Sequence, residues 1–123
     1  MQTLQQSYAD SAYRQIVAFG ERYKKTQHKE YGTMAHKLPV LVRQAGLIQA
    51  LAYVATRGKE SQKQLLAHLA ATLGFDSQKA FITKAQKAEL GEYMLLTRQT
   101  LWALEWYKRF AQSVLGVEPG EED

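Results

Sequence analysis

Residues 33–58 read TMAHKLPVLVRQAGLIQALAYVATRG, with apolar side chains on almost every side of a helical wheel. A surface helix carries one apolar stripe, whereas a segment apolar all round belongs in the middle of a domain. The stretch is therefore read as crossing the centre of the fold, with the rest of the chain packed around it. Two residues interrupt it. Pro39 lacks an N–H donor and clashes with the preceding turn, so it either opens a new helix at its first position or kinks a longer one. If the helix continues through Gly46, then Arg43, Ala50 and Arg57 line up at seven-residue intervals on one narrow stripe.

Helical spacing extends in both directions from this centre. Leu4, Tyr8, Ala12, Ile16, Phe19 and Tyr23 share one side of a first helix, and Asp10/Arg14 and Glu21/Lys25 form i,i+4 pairs on its other side. The following KKTQHKEYG, residues 24–32, is polar and basic and reads as a loop. Ser61 with Gln64 resembles a capping box, after which Leu65, Leu66, Leu69 and Leu73 form a stripe closed by Gly74. Asp76 or Ser77 caps a further helix carrying Phe81, Ala85 and Ala88. A last helix runs from about Glu92 to Leu115, stops at Gly116, and leaves VEPGEED as a frayed acidic tail.

There are only two prolines, and no Val/Ile/Thr-rich run alternates with period two. The expected fold is all-α: a single compact bundle of five or six helices over residues 1–117, followed by an acidic tail over 118–123. A chain of 123 residues is long enough to bury a core without metals or disulfides. It contains no cysteine, which removes thiol catalysis and thiolate zinc sites and fits a reducing cytoplasm. No apolar run approaches the roughly 20 residues of a membrane span, and MQTLQQSYADS lacks the layout of a signal peptide. A soluble, cytoplasmic protein is expected.

The formal net charge of +4 hides an asymmetry, because four of the twelve acids (Glu118, Glu121, Glu122 and Asp123) lie in the last six residues. Residues 1–117 set sixteen Lys and Arg against eight Asp and Glu, a net +8. Such a body suits a polyanion, nucleic acid above all, although small domains are also basic for solubility alone.

Catalytic chemistry is harder to find. His28, His36 and His68 lie in three segments, none with a second histidine or a carboxylate at the i,i+3 or i,i+4 spacing of a helical metal site. The eight carboxylates outside the tail mostly sit beside, or one turn from, a Lys or Arg, as on solvated helix faces. The eight glycines form no phosphate-binding loop. The chain is read as no enzyme, with no metal and no cofactor. A small helical DNA-binding regulator remains an alternative, since a helix-turn-helix is mostly a turn geometry.

WALEWYKRF, residues 102–110, gathers both tryptophans, a tyrosine and a Lys-Arg pair. On a wheel at 100° per residue, Ala103, Leu104, Trp106, Tyr107, Phe110, Ala111, Val114 and Leu115 fill a broad apolar arc. Arg98, Glu105, Lys108, Arg109 and Gln112 fill the rest, with Trp102 on the border. Trp106 and Tyr107 are thus expected in the core rather than as base-stacking platforms. Arg109 is expected to pair with Glu105, leaving Lys108 as the freer phosphate ligand, and Arg98 to lie over the Trp102 indole. Phosphate contacts from such a face would be blind to sequence.

Together, Tyr31-Gly32, His36-Lys37-Leu38-Pro39, Arg43, Gly46-Leu47, Glu92-Tyr93-Met94, Thr97 and Glu105 through Phe110 resemble the small helical subunit of type III-B CRISPR effector complexes, the Cmr or RAMP-module RNA-silencing machinery. The resemblance is dense over 31–54 and 92–116 and weak over 58–91. It implies a non-catalytic subunit present in several copies, stacked head to tail along the inner filament of a ribonucleoprotein. Implied partners are the backbone RAMP subunits, the large subunit, copies of itself, and guide and target RNA. The positions matching the family's RNA-facing cations are Lys37, Arg43, Lys108 and Arg109. Lys24, Lys25 and Lys29 are candidates from charge alone. An assembly scaffold that contacts only protein satisfies the same features.

Overall fold

The structure, a computed structural model, describes residues 1–120. It contains six helices: α1 (Leu4–Arg22), α2 (Lys25–Ala45), α3 (Leu47–Arg57), α4 (Glu60–Thr72), α5 (Gln78–Lys87) and α6 (Leu90–Ser113). No strand occurs among the described residues, so the expected all-α bundle is what forms. No helix among them is long and apolar enough to cross a membrane.

The longest helix is α6, which packs against α1, α2 and α4. α2 runs antiparallel to it, since Arg43 meets Glu105 near one end of the contact and His36 meets Val117 near the other. α1 ascends with α6, as Gln5 meets Trp106, Tyr13 meets Phe110, and Gly20 lies against Leu115. α4 fills the space between these helices, with Leu65, Leu66 and Leu69 fully buried, and α5 packs on α3 and α4.

The central stretch divides at Gly46, and of the two readings of Pro39 the longer helix is the one that forms. α2 passes through Pro39 and already begins at Lys25, so KKTQHKEYG forms its first two turns and not a loop. Gln27 Oε1 accepts the Lys24 N–H at 2.8 Å and starts the helix. These turns look polar because they are largely exposed, yet Tyr31 is fully buried. Chain reversal at Tyr23 and Lys24 also separates Glu21 and Lys25 onto different helices, which removes that i,i+4 pair, whereas Arg14 and Asp10 pair at 3.2 Å. Gly46 ends α2 with φ +92°, a conformation open to glycine and costly for other residues. The Arg43, Ala50, Arg57 stripe therefore does not exist.

Three terminal details follow from packing. Ser61 is not a cap: α4 starts two residues earlier, where Gln62 Oε1 accepts the Lys59 N–H at 2.9 Å, and Ser61 is buried with its hydroxyl donating to Glu30 Oε1 at 2.7 Å. Gly74 closes α4 as expected, with its own N–H on Ala71 O and the Phe75 N–H on Ala70 O, the Schellman pattern. Ser77, not Asp76, caps α5 by accepting the Ala80 N–H at 3.0 Å.

Val117, placed by its sequence in the frayed tail, is buried at 4 % exposure. It sits against Gly32, where an added Cβ would meet the valine's Cβ at 2.5 Å. Its carbonyl accepts from His36 Nε2 at 2.9 Å. Residues 121–123 of the acidic tail lie outside the described residues.

Candidate nucleic-acid interface

The histidines show how the polar interior is used. His28 Nε2 bonds Gly20 O at 3.0 Å, His36 holds Val117, and His68 Nδ1 shares a 2.8 Å hydrogen bond with the Tyr31 hydroxyl. Burial pushes the His68 imidazole down to about 4, and it raises the Tyr31 phenol well above its ordinary value. A second buried chain links three helices: Ser11 and Tyr107 hydroxyls each lie 2.7 Å from Thr72 Oγ1. These groups tie helices together, and no group of three or more His, Asp or Glu able to hold a metal is found among the described residues.

The candidate cations fall in three places. Arg43 on α2 and Lys108 on α6 meet around Glu105, whose Oε1 lies 3.7 Å from Arg43 and 4.0 Å from Lys108. Lys108 is thus not the free cation expected. Arg109 does not take Glu105; its guanidinium lies 5.4 Å from the Trp106 ring centroid, so the cation–π contact forms there rather than between Arg98 and Trp102. Arg109 remains exposed and continues the positive surface along α6.

Lys37 turns elsewhere. Its Nζ donates to the Tyr53 hydroxyl at 3.0 Å and stands 5.0 Å from that ring, toward α3. Six residues of helix rotate Lys37 about 240° from Arg43, so the two cannot share a face. Lys24 and Lys25 open α2, about 27 Å along the helix from Arg43. Lys25, Lys29 and His28 border an open depression of about 470 Å³ with Val114–Val117. The structure therefore brings Arg43 and Lys108 to one carboxylate, sets Arg109 next to Lys108 along α6, and leaves the other cations apart.

Glu105 is the residue that sequence reading misassigned. Its i,i+3 spacing to Lys108 is visible in the sequence, but its cross-helix contact with Arg43 arises only from the antiparallel packing of α2 on α6. Trp106 is half-buried, not core: Nε1 donates to Gln5 Oε1 at 2.8 Å, and its ring stacks on Phe110 with centroids 6.0 Å apart. Tyr107 is fully buried, as expected, and Trp102 is 38 % exposed.

Comparison with known proteins accords with this architecture. The family model for CRISPR-associated protein (Cas_Cmr5) matches residues 4–114. The CRISPR system Cmr subunit Cmr5 of Thermus thermophilus is 48% identical over 115 residues, covering 94% of this chain and 98% of its own length. The crystal structure of a CRISPR-associated Cmr5 family protein from Thermus thermophilus superposes with a TM-score of 0.86 at 46% identity, over 93% of this chain and 98% of that one. A match this long, in both sequence and helical arrangement, places the chain in the Cmr5 family of CRISPR-associated proteins.

Proposed function

We propose that the chain is a non-catalytic small subunit of a type III-B CRISPR ribonucleoprotein, stacked along its inner filament and touching the guide and target RNA backbone. Residues 1–117 are its folded unit, 118–123 its acidic tail, and the cytoplasm its compartment. One observation carries the RNA contact: Arg43 and Lys108 converge on a single carboxylate from two different helices, and Arg109 follows on α6. Two cations against one acid leave the surface net positive, and rigid helices hold it in register with a phosphate backbone. Where base pairing to a guide reads the sequence, the protein needs to recognise only shape and phosphate. The likeness to a protein named as a Cmr subunit supports placement within the complex, beside backbone RAMP subunits, a large subunit and further copies of the chain.

Replacing Arg43, Lys108 and Arg109 together by alanine tests the reading in the assembled complex. Weaker target-RNA binding with a flatter salt dependence is expected, because each lost phosphate contact lowers counterion release. Unchanged affinity and slope would remove these residues from the role. A scaffold contacting only protein is the second reading, favoured by Glu105, which already satisfies part of the charge of both cations. It predicts that the same triple variant fails to co-purify.

A further inference from the structure

Gln5, in the first turn of α1, meets α6 at Trp106. The part of α6 from Leu90 to Trp102, about 18 Å of helix, therefore extends past the start of α1. Its outer face is apolar: Leu90 is 73 % exposed, Met94 54 % and Leu95 47 %, with Trp102 at one end and exposed Ile48 beside Tyr93, whose hydroxyl accepts the Ile48 N–H. Beyond Glu105 the same face of α6 turns polar, with Lys108, Arg109 and Gln112. The helix is thus divided along its length into an apolar half and a charged half.

Leu90, Met94, Thr97 and Leu101 follow one another at intervals of four, three and four, the seam spacing that accepts another helix. Tyr93, Met94, Thr97, Arg98 and Leu101 line a groove of about 370 Å³, and nothing beyond its chain neighbours and its own helix backbone lies within 4 Å of where a Cβ on Gly91 would stand, so a neighbour has room to approach. Arg98 rises from the middle of this surface, exposed and with no ion pair among the described residues.

These features select the occupant. The exposed apolar side chains present on the order of 500 Å², in the range of the largest apolar patch on an ordinary soluble domain, which is often functional, but below the roughly 800 Å² each partner buries in a standard whole-domain interface. One helix fits that area. A two-fold antiparallel pairing with the same segment of a second copy would bring the Arg98 flank against the partner's Gly91, Leu95 and Arg98, with no carboxylate to meet the guanidinium. We infer that the Leu90–Trp102 face of α6 is a docking groove for one amphipathic helix of a different protein subunit, whose apolar stripe covers Leu90, Met94 and Leu101 and whose Asp or Glu pairs with Arg98. This rests on the reading of the chain as part of a larger assembly, and it assigns protein contact to one half of α6 and phosphate contact to the other.

The test uses the complex purified from cells in which a photo-cross-linking phenylalanine derivative replaces Met94. The inference predicts a cross-link to a helical segment of another subunit that carries an acid within one turn of the linked residue. Arg98→Glu should then weaken retention of the chain in the complex about tenfold, as hot-spot charges do, and reversal of that acid to lysine should restore it. Both altered residues are exposed, so the isolated variants keep the melting temperature of the parent chain. A cross-link to RNA or to a second copy, or full retention of both Met94→Arg and Arg98→Glu variants, would overturn the groove while leaving the assembly reading intact. Failure of the unaltered chain to co-purify with any subunit would overturn both.

Discussion

Glu105 on α6 stands 3.7 Å from Arg43 on α2 and so joins two helices at the surface where the candidate phosphate ligands gather. Lys108 approaches the same oxygen at 4.0 Å. An acid in this position competes with phosphate for both cations. Glu105→Gln is expected to strengthen target-RNA binding by the complex several-fold and to steepen the log-log salt slope by about one for each additional phosphate neutralised. Exposed ion pairs contribute only about 0–1 kcal/mol, so the unfolding midpoint should hardly move. Filter binding across a salt series, beside a urea titration, separates the two effects.

Gly32 and Val117 make a different kind of contact, one of pure space. Gly32→Ala puts a methyl group where the Val117 side chain already lies, at 2.5 to 2.7 Å from three of its carbons. Overpacking of this kind costs about 1–3 kcal/mol. Urea unfolding should show that loss, and Val117→Ala in the same chain should recover part of it by clearing the two γ carbons.

His68 sets a pH dependence. Its folded value of about 4 lies below the unfolded value of 6.5, so between those limits the unfolded chain binds more protons than the folded one. Stability is therefore complete above about pH 6.5 and declines as pH falls toward 4, by up to about 3 kcal/mol from this group. Comparing urea midpoints at intervals from pH 7 to 4 for the parent chain and His68→Gln checks it. The variant should lack this component of the decline, and identical pH profiles would count against it.

Thr72 lies at the junction of the Ser11, Thr72 and Tyr107 hydroxyls, with Tyr107 fully buried. Thr72→Val leaves the Tyr107 hydroxyl without that partner, a loss of about 1–3 kcal/mol. Adding Tyr107→Phe removes the stranded group, so the double variant should be more stable than the sum of the two single losses implies. A double-mutant cycle by chemical denaturation measures the difference.

What local chemistry controls was legible from residue order alone. Helical spacing of Tyr8, Ala12, Ile16 and Phe19, the leucine stripe of α4, the glycine stops at 74 and 116, and the inward face around Ala103, Leu104 and Tyr107 all depend on neighbours within one or two turns. The family also followed from the sequence, because ordered motifs over most of the chain are linear information.

Tertiary packing decided the rest. KKTQHKEYG is helical because Tyr31 finds a fully buried site between α1 and α4, against Phe19 and His68, which its polar neighbours do not reveal. Val117 is held by Gly32 and His36, more than eighty residues away in sequence. Arg43 and Lys108 share a surface only because α2 lies antiparallel on α6, whereas Lys37, with the same charge on the same helix, is rotated away toward Tyr53. Side-chain type and spacing determine which helices form and which faces they bury. Which charges meet depends on the direction and rotation of one helix against another, and those are settled only when the whole core is packed.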